Sequence, residues 1–293
     1  MKVYIQQQSL PSIAMKRVAD ALVRYAPGEC IEWVDDMYLA DLVILHVIGY
    51  PETVQQVEAL QRLGKQYAII QYCMRSTQRP DTNDWKTLWE DAALVWSYYD
   101  LVDLTSQDGM DFSHVKFYHS PLGVDSSVFK PWQRSRKYYT VCTSGYVAES
   151  ESVREAADAC AGLKKVMFHL GPPFPWFGSH VTARKGMNDS DLSRIFSDCF
   201  YVSGLRRAEG FELPAAEGLL CGARPIMYDR PHYRQWFDDF AVFIPEDTPE
   251  KVTANLAEIF RSDYRPVREE ERLRAAEWFN WEPIVKGFWE RVL

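Results

Sequence analysis

The stretch Tyr201 to Asp229, YVSGLRRAEGFELPAAEGLLCGARPIMYD, gathers the side chains best suited to chemistry. Glu209 and Glu217 stand eight positions apart, with Arg206 and Arg207 just upstream. Paired carboxylates accept hydrogen bonds from the hydroxyls of a sugar and a ribose. Guanidinium groups answer the charge of phosphates. The local elements set these groups on one edge. A strand is expected to end near Val202, and Ser203 to Phe211 reads as a loop. Pro214 suits the first helical position, where its missing N–H would be unpaired anyway, so a helix should begin close to Leu213. Ligands of open α/β sheets collect beyond the carboxyl ends of strands. A helix N-terminus there offers free N–H groups to an anion.

The rest of the chain supplies a scaffold of the same kind. Strand patterns are expected at Val3–Ile5, Asp41–Ile48, Tyr67–Tyr72 and Ala93–Ser97, with helical periodicity from Ser12, over Thr53–Leu63 and over Trp85–Ala92. KFYHSPLGVDSSVFKP, Lys116 to Pro131, reads as the passage between two domains. Beyond it the alternation restarts. Strands are expected at Tyr138–Ser144, Val166–Leu170, Phe200–Val202 and Pro225–Tyr228. Helices are expected at Ser152–Cys160, Asp191–Phe196, Pro214–Leu220 and Thr248–Phe260, and the Trp-rich tail from Glu270 reads as helical. Such alternation predicts an α/β fold of parallel sheets with helices on both faces.

With 293 residues, two domains are expected. The net charge of −8 disfavours a partner gripped by its phosphate backbone. Six scattered cysteines without a closely spaced pair give no zinc pattern and point to reduced thiols in a cytoplasm. MKVYIQQQSL reads as a strand and a loop rather than a signal peptide, and no apolar run is long enough to span a bilayer.

The run Glu209-Gly210-Phe211-Glu212-Leu213-Pro214-Ala215-Ala216-Glu217, followed by Cys221-Gly222-Ala223-Arg224-Pro225, resembles the donor site of retaining GT-B glycosyltransferases, in particular glycosyltransferase family 4 (glycosyl transferases group 1). Pro121 to Pro131 is similar to the family's interdomain segment, and AAEWFNWEPIVKGFWERVL to its terminal helices. The resemblance covers Pro121 to Leu293. It implies two Rossmann-like domains facing a cleft: residues 1–129 for the acceptor, 130–275 for the nucleotide-sugar donor, and 276–293 as a helix returning to the first domain. It further implies that Glu209 and the backbone at Gly210, Phe211, Glu212 and Leu213 hold the donor sugar, and that Glu217 accepts hydrogen bonds from the ribose. His46 stands where members often carry a histidine beside the acceptor, and Ser12 caps a helix that can face the donor phosphates.

Three departures from the family pattern bear on the diphosphate. Ser9 to Ile13 replaces a glycine-rich loop, Glu212 replaces a glycine, and the place of an Arg and Lys clamp reads Thr143 to Glu151, with Gly145 and Tyr146 at the donor side. The counter-charge is therefore expected from Arg206 and Arg207, with Arg184 and Lys185 next. The resemblance implies no metal and no cofactor beyond the nucleoside-diphosphate sugar, a UDP- or GDP-sugar. The expected activity is transfer of a hexose to a hydroxyl acceptor with retention. Two alternatives are the same chemistry on a hydroxymethylated DNA base, and a non-catalytic nucleotide-sugar-binding scaffold that kept the fold.

Overall fold

The computed structural model describes residues 1–6, 13–28, 30–47, 51–72, 87–103, 111–145, 148–163, 166–207 and 210–293. Its contacts divide the chain into two compact units, Met1–Gly123 with Trp281–Leu293, and Val124–Asn280.

The first unit is built on six parallel strands in the order β2-β1-β3-β4-β5-β6. These are β1 (Lys2–Ile5), β2 (Glu32–Trp33), β3 (Leu42–Val47), β4 (Gln66–Gln71), β5 (Leu94–Ser97) and β6 (Phe117–His119). Every residue of β3 and β5 is buried, the signature of strands covered on both faces. Helices α1 (Ile13–Arg24) and α2 (Pro51–Arg62) cross between strands. The last helix of the chain, numbered α9 below (Trp281–Val292), packs in this unit, where Trp289 Nε1 donates to the Leu22 carbonyl at 3.1 Å and Tyr118 OH to that of Ile284 at 2.8 Å.

The second unit holds β7 (Tyr139–Ser144), β8 (Val166–Leu170), β9 (Val181–Arg184), β10 (Cys199–Gly204), β11 (Arg224–Tyr228) and β12 (Val242–Ile244). Their order is β12-β11-β10-β7-β8-β9, all parallel. Between them run α3 (Val153–Cys160), α4 (Asp189–Asp198), α5 (Leu213–Leu220), α6 (Pro231–Phe237), α7 (Pro249–Arg261) and α8 (Glu269–Trp278). Helix α5 lies close on β10 because Gly218 lets it: a Cβ there would stand 2.7 Å from Val202 Cγ1. A buried ion pair fixes the opposite edge. Arg224, at the start of β11, donates to the carbonyls of Phe240, Arg265 and Pro266 and pairs with Glu271 of α8 at 3.1 Å. Burial raises the Glu271 pKa, but the Arg268 N–H and the Arg224 guanidinium outweigh it and bring it down to about 2.

The strands expected from apolar runs stand within a residue or two of their places. Strands β2, β6, β9 and β12 and helix α6 were not expected from the sequence. The tail expected to be helical is two helices, broken between Trp278 and Trp281 where the Val124 N–H donates to the Phe279 carbonyl.

Candidate functional site

In the second sheet the chain moves outward from β7 to β9 on one side and from β10 to β12 on the other. The order therefore reverses between β7 and β10, and it is beyond the carboxyl ends at such a reversal that open α/β sheets collect ligands. Arg206 spans this point. It follows β10, and its Nη2 donates to Ser144 Oγ, the last residue of β7, at 2.9 Å. Its Nε lies 3.2 Å from Glu212 Oε2 and its Nη1 3.5 Å from Glu151 Oε1. Glu212 is the N-cap residue of α5 and is buried. The single proton of Tyr233 OH has two acceptors in reach, the Arg206 carbonyl at 3.1 Å and Glu212 Oε1 at 3.5 Å.

Gly145 explains how a carboxylate reaches that place. Its φ of 135° lies in the region that favours glycine. A Cβ there would sit 1.6 Å from Glu151 Oε2, so the carboxylate rests against the bare Cα.

Arg207 faces other partners. Its Nη1 is 3.2 Å from Glu246 Oε1 and its Nη2 3.4 Å from Glu155 Oε1, while its guanidinium lies over the Tyr228 ring at 5.4 Å. Arg230 covers the same ring at 6.0 Å, pairs with Glu246, and donates from Nη1 to the Arg207 carbonyl at 2.8 Å. The Tyr228 hydroxyl, its pKa pushed up by burial, shares a hydrogen bond with Ser152 Oγ at 2.6 Å. These pairs join three arginines to four glutamates at one edge of the sheet.

Glu217 sits in α5 and is 3 % exposed. Phe211 and Leu213 are core residues; the Phe211 ring packs on Phe237 at 5.4 Å and Phe279 at 5.7 Å. With Gly210, which has no side chain, they offer a ligand their backbone only. Arg184 and Lys185 lie at the end of β9, the outer edge strand, with β8 between it and β7. Glu209, Tyr146 and Ser12 lie outside the described residues.

His46 belongs to the first unit, at the end of β3. Its Nδ1 shares a hydrogen bond with Tyr72 OH at 2.9 Å, and its Nε2 has no hydrogen-bond partner among the described residues. Burial lowers its pKa to about 3, so the ring is neutral at pH 7. Among the described residues no cluster of His, Cys, Asp and Glu has the arrangement of a metal site, and no helix is long and apolar enough to cross a membrane.

Sequence reasoning named Arg206, Arg207, Glu212 and Glu217 but passed over Ser144, Glu151, Glu155, Arg230 and Glu246 as partners. One signal would have found Arg230: it stands two residues past an expected strand, where ligand-facing groups collect.

No protein-family model matches the chain, and no curated protein matches it by sequence. Solved structures do match. A sucrose-phosphate synthase from Thermosynechococcus elongatus is 12% identical with a TM-score of 0.75, over 99% of this chain and 97% of that one. HepE from Anabaena, solved with UDP and glucose, is 11% identical with a TM-score of 0.74, over 99% and 98%. The pneumococcal O-GlcNAc transferase GtfA, solved with UDP and GlcNAc, is 16% identical with a TM-score of 0.66, over 86% of this chain and 56% of that one. At such identities the likeness establishes the fold: two parallel α/β units of the GT-B type.

Proposed function

We propose that the chain is a glycosyltransferase that moves a hexose from a UDP- or GDP-sugar to a hydroxyl acceptor, with retention and without a metal ion. The observation that carries this reading is Arg206 bridging β7 and β10 at the reversal point of the second sheet, beside the N-terminus of α5, in a fold that solved UDP complexes share. The donor diphosphate would take the guanidinium of Arg206 and the first amides of α5. A helix end supplies only about half a unit charge, so a full positive charge beside it is needed. Glu217 would accept the ribose hydroxyls, and Glu209 with the Gly210–Leu213 backbone the sugar. As the bond to the anomeric carbon breaks, negative charge grows on the leaving phosphate, and a donor fixed beforehand by Ser144 and Glu212 stabilises it without reorganising. The leaving phosphate itself takes the acceptor proton, so no charged base is required. His46, neutral at pH 7, would serve as a hydrogen-bond partner of the acceptor and not as a proton store. Residues 1–129 would carry the acceptor and 130–275 the donor. Free thiols at Cys30, Cys142, Cys160, Cys199 and Cys221 suit a cytoplasmic location.

The carboxylates around Arg206 and Arg207 favour one second reading, a scaffold that binds the donor without turning it over. A DNA acceptor fits less well with a net charge of −8. A thermal-shift screen over nucleoside diphosphates and their sugars, with and without EDTA, tests the proposal. We expect one base to stabilise the protein, by roughly 2.7 kcal/mol at a hundred times Kd, with no effect of EDTA. NMR of the product should then show the donor's anomeric configuration kept. No shift with any nucleotide sinks the reading; binding without product moves it to the scaffold.

A further inference from the structure

Three of the groups around Arg206 hold it with unequal grip. Ser144 Oγ accepts at 2.9 Å. Glu212 lies 3.2 Å from Nε with a side chain only 1% exposed, and Tyr233 OH also reaches it. Glu151 is farther, at 3.5 Å from Nη1, more exposed at 13%, and rests on the open face of Gly145. A carboxylate and a phosphate present the same acceptor geometry to a guanidinium, and the phosphate brings more charge. An accessible ion pair contributes little and exchanges readily, whereas removing one partner of a buried pair leaves a charge uncompensated.

We infer that Glu151 is an internal anion that competes with phosphate for Arg206, while Glu212 is a positioning residue that aims the same guanidinium. The phosphate source, a nucleoside diphosphate, rests on the function proposed above; the competition itself does not. Two glutamates that touch one arginine then have opposite effects. Neutralising Glu151 removes one anion from Nη1 and tightens anion binding. Neutralising Glu212 lets the guanidinium swing from the β7–β10 gap and weakens it. If both were plain competitors, both changes would tighten binding; if both were only structural, both would weaken it. Gly145 belongs to the same device, because a side chain there would evict the Glu151 carboxylate.

Calorimetric titration with inorganic pyrophosphate tests this on the full chain. E151Q should bind about fivefold more tightly than the wild type, the range of a long, weak ion pair. E149Q, which removes an exposed charge nearby, should stay within about twofold. The gain of E151Q should vanish in the R206Q background, since the coupling runs through that arginine. E212Q should bind roughly tenfold more weakly, and E212D, which keeps the charge, should recover part of the loss and serves if E212Q does not fold. In turnover assays E212Q should lower kcat more than it raises KM. An E151Q affinity equal to or below the wild type, including no binding by either, overturns the inference, as does a gain that survives R206Q. If the E151Q gain appears but UDP and GDP bind no better than pyrophosphate to every variant, the nucleotide reading fails and the competition stands.

Discussion

In the first unit, at the carboxyl ends of β3 to β5, His46 and Tyr72 are uncharged at pH 7. His46 is bonded to Tyr72, and Tyr98 OH donates to the Tyr72 carbonyl. At the reversal point of the second sheet, between β7 and β10, ionisable side chains meet, and Arg206 lies among Ser144, Glu151 and Glu212. Both sheets have six parallel strands, so topology did not force the contrast. A departing diphosphate needs fixed positive charge, and a hydroxyl acceptor needs only hydrogen bonds. Under the proposed function, the charged edge would serve the departing diphosphate and the uncharged one the acceptor. The second unit also puts arginine to two uses. Arg224 is 4% exposed and spends its donors on three carbonyls and Glu271, far along β11 from the ligand edge. Arg206 sits at the carboxyl edge, held by the buried Glu212 and by the more exposed Glu151.

The largest effect should come from the structural arginine's partner. Glu271→Gln should cost about 3–5 kcal/mol by leaving Arg224 buried without its counter-charge. Because the Glu271 pKa is lowered to about 2, its stabilisation is present above about pH 4.5 and is lost as pH falls toward 2. Urea unfolding at pH 7 and pH 3 checks both statements, and donor affinity of the folded variant should be unchanged.

Next comes Arg206→Gln, which should lower turnover by about a hundred- to a thousandfold, the loss typical of one transition-state donor. The same change at Arg184 or Lys185 should leave turnover near wild type, and steady-state kinetics of the three variants would sharpen or erase the distinction between the reversal point and the far strand. Glu217→Ala follows, weakening nucleoside diphosphate binding by about 1.5–3 kcal/mol per charge-assisted hydrogen bond lost, as calorimetry would show, with the fold retained.

The smallest effect concerns two buried histidines, one in each unit. Burial lowers His46 to about 3 and His169, bonded to Thr143 at 2.9 Å, to about 4. Folded pKa values below the ordinary 6.5 give stability that is present above pH 6.5 and lost as pH falls toward 4 and 3. Between pH 7 and 5 each should contribute about 2 kcal/mol of acid sensitivity. NMR titration should find both rings neutral at pH 5. Protonation of His46 near pH 6.5 would undo its assignment as a neutral partner.

The sequence disclosed the parts of this comparison unevenly. Buried strands such as β3, β4, β7 and β11 show apolar runs because both faces are covered, and they stand out unaided. Strand β2 has two residues, both exposed, and β9 is only partly buried, so neither carries an apolar run. Helix α6, seven residues opened by Pro231, is too short to show a period. In the site, the resemblance around Glu209 to Glu217 and the arginines beside it were visible. Their pairing was not, because Glu151 and Glu246 reach the arginines from other loops. The acidic run Glu149 to Ser152 read only as the absence of a clamp. In the fold it supplies the carboxylate on Arg206 and the hydroxyl on Tyr228.

The central claim is that the β7–β10 edge binds a nucleoside diphosphate through Arg206. It is tested most directly by calorimetric titration of UDP and GDP into the wild type and Arg206→Gln. The account predicts saturable one-to-one binding of one of them and a loss of about 1.5–3 kcal/mol in the variant, the worth of a hydrogen bond to a charged group. Absence of binding to the wild type, or equal affinity in the variant, would contradict it.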